Sequence, residues 1–153
     1  MNEKLKNLLR LFLPLIIGGI VSLFLLDKID YENLISPPLA PPQIVFPIVW
    51  SIIYILMGIS YYKLTTHCNP TAIEKGIYYV QLSVNALWSI IFFVLKWRLF
   101  ACIWIILLDI LVIAMIITFY KKCKESAYLN IPYLIWILFA TYLTIGFYTL
   151  NPL

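Results

Sequence analysis

The residues best suited to metal or nucleophilic chemistry are three cysteines, Cys68, Cys102 and Cys123, and one histidine, His67. Their positions point away from both. Cys102 falls within an apolar run while Cys68 and Cys123 fall in polar connections, so no disulfide framework is expected. His67 beside Cys68 reads as an ordinary solvated pair. There is no nucleophile elbow, phosphate-binding glycine loop or set of paired carboxylates. The expectation is therefore no metal, no obligatory cofactor and no established catalytic residue. The informative groups are instead polar and aromatic side chains inside apolar segments, where they are costly to place.

Gln81, Asn85, Trp88 and Ser89 recur at helical spacing and so share one face. Facing lipid, that stripe would be unfavourable. It serves either as interhelical hydrogen bonding, about 0.6 to 2 kcal/mol per bond, or as the wall of a ligand pocket. Pro41, Pro42 and Pro47 lead into Trp50, Tyr54 and Met57, again three or four apart. Prolines are tolerated at a helix start because the first-turn amides lack intrahelical partners. Trp50 and Tyr54 suit either anchoring at the membrane interface or a flat wall for a planar ligand. Pro132, Tyr133, Trp136, Phe139, Ala140 and Leu143 form a third, largely aromatic stripe, for which core packing is the simplest reading. Asp109 lies mid-run with no basic residue in any span to pair with. It is expected to be protonated or hydrogen-bonded to a facing polar group, and a single carboxylate does not make a proton relay.

These groups must be positioned by helices. The chain of 153 residues is 63% hydrophobic and 12% charged, against roughly 45–50% and 25% in soluble domains. A span takes about 20 apolar residues, and five runs qualify, near 8–26, 44–64, 77–95, 99–120 and 131–150. Each must be helical, because an unpaired backbone group in lipid has no water to bond. The expected fold class is an all-α membrane protein, a bundle of five transmembrane helices in one domain over 1–153. The first run is preceded by Lys4, Lys6 and Arg10 like a signal peptide, but the charged sequence after Leu26 lacks a small-residue cleavage site, so it is kept as a span.

Lys4, Lys6, Arg10, Lys63, Lys75, Lys121, Lys122 and Lys124 fall on one side of this topology, and only Lys28, Lys96 and Arg98 on the other. That bias places the N-terminus in the cytoplasm and the C-terminus outside, with an external loop at about 27–43. The net charge of +4 then reflects topology and contact with anionic lipid rather than a nucleic-acid surface. The expected location is a bacterial plasma membrane.

The run from Pro41 to Gly58, PPQIVFPIVWSIIYILMG, resembles the second-helix signature of the translocator protein family, also called tryptophan-rich sensory proteins or peripheral-type benzodiazepine receptors. The blocks from Gln81 to Phe93 and from Pro132 to Ala140 agree with that family in order and spacing. The resemblance covers essentially the whole chain. It implies a five-helix bundle, usually a homodimer, whose pocket is closed by the first long loop. It also implies a porphyrin such as protoporphyrin IX as ligand or substrate, and in some bacterial members its light- and oxygen-dependent degradation. Carried over residue by residue, the ligand-binding set is Tyr31, Pro41, Pro42, Trp50, Tyr54, Asn85, Trp88, Trp136 and Ala140, with Trp50 and Trp136 the candidate redox-active indoles. Gly18, Gly19 and Gly58 offer small-residue contact points for the dimer.

Three departures narrow the expectation. Leu39 stands where many members carry tryptophan between the loop prolines, and Trp104 and Ile105 stand where many carry an acid. The stretch after Ala140 ends at Leu153 without the Lys or Arg that a proposed cholesterol motif requires. The leading expectation is a tetrapyrrole-binding membrane protein that brings reactants together. The alternatives are a transporter of porphyrins or other amphipathic molecules, and a ligand-responsive sensor.

Overall fold

The computed structural model describes residues 2–151. Helix α1 spans Glu3–Leu25, α2 Val45–His67, α3 Ala72–Ser89, α4 Arg98–Lys122, α5 Lys124–Tyr128 and α6 Ile131–Leu150. Five of the helical stretches are long and apolar enough to cross a membrane, α5 running on into α6 as one of them. Among the described residues there is no strand.

Helices α1 and α3 begin five residues before their apolar runs because polar caps extend them. The side chain of Asn2 accepts a hydrogen bond from the Leu5 amide at 2.8 Å and starts α1 at Glu3. Thr71 and Glu74 form a reciprocal capping box that starts α3 at Ala72. The far end of α3 widens into a π-helical turn at Ile90–Val94, which ends where Lys96 adopts a left-handed φ of 57°. The connection after α4 breaks at Cys123 and resumes as the short α5, so the polar stretch read as a loop is itself largely helical.

Helix α1 packs mainly on α2, while α4 lies against both α3 and α6. Both faces of α4 are apolar, and packing alone separates them. Ala101, Ile105, Leu108, Val112, Met115 and Phe119 are buried at helical spacing, whereas Ile103, Ile106, Ile110, Ile113 and Ile117 are exposed on the surface that faces lipid in a membrane. Because lipid tails are as apolar as these side chains, the inward face is held by fit rather than by exclusion of water.

Two expectations are corrected by this packing. Gly18 and Gly58 are used within the chain and are not free for a contact between copies. A methyl group at Gly18 would meet the Tyr54 ring, and one at Gly58 would meet the Leu11 backbone carbonyl. Only Gly19 of the three faces open space. Cys68 and Cys123 are joined in a disulfide, with Cα atoms 6.0 Å apart. Helices α2 and α4 end side by side, which the 55 residues between the cysteines conceal. His67 is therefore next to a bonded cysteine rather than a free one. Beside the disulfide, Lys63 Nζ lies 3.0 Å from Glu125 Oε2, and Asn130 donates to Ser60 Oγ at 2.8 Å and to the Ser126 carbonyl at 3.1 Å. Together they fasten α5 to α2.

Asp109 has found its facing polar group. Thr141 Oγ1 lies 2.6 Å from Asp109 Oδ2 and 2.8 Å from the Ile137 carbonyl. A hydroxyl carries one proton for these two acceptors, and an Asp109 carboxylic acid that donates to Thr141 satisfies both. Asp109→Asn should then leave thermal stability in detergent within about 0.5 kcal/mol of wild type, while Asp109→Ala should cost about 1–3 kcal/mol by removing the donor to Thr141 Oγ1 and leaving a void between α4 and α6. Unfolding of both variants by circular dichroism checks this; a costly Asn substitution would show that Asp109 is ionised.

Candidate ligand cavity

A cavity of about 770 Å³ opens between α1, the loop from residue 29 to 44, α2, the end of α3 and α6. Its size lies within the roughly 300–1,000 Å³ of small-molecule sites. The α2 wall is Phe46, Pro47, Trp50 and Tyr54. Trp50 and Tyr54, one helical turn apart, stack with ring centroids 5.5 Å apart and planes at 28°. The α3 side contributes Trp88, Phe92 and Phe93, carried to the cavity by the last turn of α3 and the π-helical turn. Ala140, Leu143, Thr144 and Phe147 supply the α6 wall, and Gly18, Gly19 and Ser22 the α1 side.

The loop roofs the cavity through Tyr31. That ring is 8% exposed and meets Phe46 and Phe147 edge-on at 5.2 and 5.3 Å. Its hydroxyl donates to the Pro41 carbonyl at 2.5 Å. Burial pushes the Tyr31 phenol above the ordinary tyrosine range, so the donor is intact at neutral pH. The rest of the loop is tied to the end of α6. Asn151 exchanges two 2.9 Å hydrogen bonds with the Ile35 backbone, Tyr142 donates to the Pro38 carbonyl at 2.6 Å, and Pro37 sits against Gly146.

Behind the wall runs a buried polar chain. Tyr54 donates to Asn85 Oδ1 at 2.8 Å, Asn85 Nδ2 donates to the Tyr133 hydroxyl at 2.7 Å, and Tyr133 donates to Gln81 Oε1 at 2.8 Å. One end of the chain is the cavity-facing ring of Tyr54. The other is closed by Gln81, whose amide lies 3.5 Å from Met57 Sδ. Such a chain fixes α2, α3 and α6 relative to one another, since an unpaired member in lipid is costly. Two indoles differ. Trp88 Nε1 and Trp136 Nε1 are buried with no hydrogen-bond partner, enclosed by apolar neighbours rather than joined to the chain.

The sequence pattern of the TspO/MBR family matches residues 10–149. The tryptophan-rich protein TspO of Archaeoglobus fulgidus is 36% identical over 151 residues, covering 96% of this chain and 97% of that protein. The chain belongs to the TspO/MBR family. The tryptophan-rich protein TspO of Chlorobaculum tepidum is 34% identical over 80% of this chain and 79% of its own length, and protein CrtK of Rhodobacter capsulatus is 33% identical over 80% and 78%.

In this TspO/MBR chain the structure gathers Tyr31, Trp50, Tyr54, Trp88 and Ala140 on the cavity wall. Trp136 lies one layer back, edge-on to Trp50 at 6.4 Å and to Phe46 at 5.8 Å. Asn85 is also one layer back, its carboxamide engaged at both ends by tyrosines. Pro41 and Pro42 form the hinge where the loop joins α2, Pro41 holding Tyr31 and the Pro42 carbonyl accepting from Val45. Sequence reasoning missed Phe46, Phe92 and Phe147 as wall residues and Tyr133 as the hub of the polar chain. Their spacing from Trp50, Trp88 and Leu143 was the available signal: each is a helical turn from a residue already singled out.

Proposed function

We propose that this membrane protein binds a tetrapyrrole, protoporphyrin IX, in the 770 Å³ cavity. The observation that carries the reading is the wall itself: a stacked Trp50–Tyr54 pair lines the same apolar space as Trp88 and Phe92, with Tyr31 contributed by the loop. A planar macrocycle gains from offset and edge contacts with such rings. The family resemblance supports the same ligand.

The protein sits in a bacterial plasma membrane with its N-terminus cytoplasmic and the roofing loop outside, a placement supported by the distribution of Lys and Arg among the loops. It acts as a homodimer. Illumination of the bound ring in the presence of dioxygen generates oxidant beside Trp50 and Trp136, which lie edge-on at 6.4 Å. These indoles relay the oxidation to the porphyrin. The chain's own role is to hold ring and indoles together and to keep water out.

Protoporphyrin IX titrated in the dark and under light against wild type, Trp50→Phe and Trp136→Phe tests this. Saturable binding in the dark, with light-driven loss of porphyrin slowed in both variants, is expected. Affinity and photochemical loss unchanged by either substitution would sink it.

A further inference from the structure

At the roofed end of the cavity three charged groups are set in an unbalanced arrangement. Asp30, the residue before Tyr31, places Oδ2 at 3.5 Å from both Lys96 Nζ and Arg98 Nη2. Two cations thus share one carboxylate oxygen, at a separation longer than the roughly 2.7–2.9 Å of a charge-assisted hydrogen bond. Arg98 is only 5% exposed, yet its Nε is buried without a partner, and Asp30 Oδ1 is likewise unpaired. A buried guanidinium normally has its forked donors matched by a bidentate acceptor. Here that acceptor is missing.

The surroundings favour a second anion. Arg98 opens the 25-residue helix α4, whose N-terminal dipole adds positive potential. Lys96 is held in the left-handed region at φ 57°, a conformation uncommon for a lysine. The three side chains do not themselves line the cavity but sit immediately behind its wall. Ile29 and Tyr31, on either side of Asp30, line it, and the Arg98 guanidinium lies 5.6 Å from the centroid of Phe92, another wall residue. Glu32 is the one carboxylate on the cavity wall, and it is exposed to solvent, where its field is screened.

The geometry points to Lys96 and Arg98 as a subsite for a carboxylate substituent of the cavity's ligand, with Asp30 occupying it when the cavity is empty. The ligand class is a planar apolar molecule bearing an acidic side arm, and the inference rests on the tetrapyrrole reading above. Exchange of Asp30 for the ligand's carboxylate also frees the residue next to Tyr31, so the roofing loop is coupled to occupancy.

The test compares protoporphyrin IX with its dimethyl ester, which keeps the ring and removes both carboxylate charges. Binding is measured in the dark in phosphatidylcholine nanodiscs. Wild type should prefer the acid by about ten- to a hundredfold, the value of one charged hydrogen bond or two. Arg98→Gln and Lys96→Met should each shrink that preference, and Asp30→Asn should enlarge it. If Arg98→Gln does not fold, Lys96→Met, on a side chain open to solvent, and Asp30→Asn, on a half-buried one, suffice. Equal binding of acid and ester in wild type, or a preference that none of the variants alters, overturns the subsite and leaves the tetrapyrrole reading standing. An Asp30→Asn that weakens acid and ester alike shows Asp30 to be a loop latch only and overturns it too. Failure of both compounds to bind wild type overturns the tetrapyrrole reading itself.

Discussion

Gly58→Leu is expected to lower the stability of the detergent-solubilised protein by about 3 kcal/mol, the upper end of the usual cost of overpacking. Helix α1 meets α2 where Gly58 lets the Leu11 carbonyl approach, and the space for a side chain is taken by backbone rather than by a movable group. Leucine there must push α1 away. Because α1 also forms one side of the cavity through Gly18, Gly19 and Ser22, the same substitution should weaken ligand binding. The control is Gly19→Leu, at a position with nothing within 4 Å, which should leave stability near wild type. Thermal unfolding followed by circular dichroism distinguishes the two; equal melting temperatures for both variants would mean that α1 is not seated on Gly58.

Trp50→Ala should have the largest effect on binding of any single wall truncation. Trp50 stacks on Tyr54 and meets Trp136 and Tyr133 edge-on, each at 6.4 Å, so it joins the wall to the layer behind. Loss of an aromatic platform costs about 1–3 kcal/mol for a stacked planar ring, or about ten- to a hundredfold in Kd. The Tyr54–Asn85–Tyr133–Gln81 chain does not involve Trp50, so the fold should persist. Affinity is read by equilibrium titration, with unfolding temperature measured alongside. A variant that unfolds at the wild-type temperature and binds within twofold of wild type would remove Trp50 from the site.

Much of this architecture is readable along the chain because membrane spanning imposes a strong pattern. Five apolar runs become five helices long and apolar enough to span a membrane, and Trp50, Tyr54 and Trp88 reach the cavity wall because one-turn spacing fixes their face. What spacing cannot show is which partner a polar group meets across the bundle. Asn85 reads as a hydrogen bonder to a ligand, yet its two ends are taken by Tyr54 and by Tyr133, 48 residues away. Asp109 calls for a facing polar group, but spacing does not name it because Thr141 lies 32 residues downstream. Lys96 and Arg98 enter a sequence reading only as charges that set topology, and their shared contact with Asp30 emerges only when the loop folds back over α4. The disulfide between Cys68 and Cys123 is hidden in the same way, by two helices that end together.

The most direct test of the cavity as the binding site is to fill it. Ala140 is buried on the α6 wall and lines the space beside Leu143 and Thr144, so Ala140→Trp projects an indole into the volume a ligand would take. Dark titration of protoporphyrin IX into wild type should show saturable quenching with one ligand per chain, and Ala140→Trp, folded by its circular dichroism spectrum, should lose that saturable phase. Undiminished one-to-one binding by folded Ala140→Trp would contradict the account and place the porphyrin elsewhere on the protein.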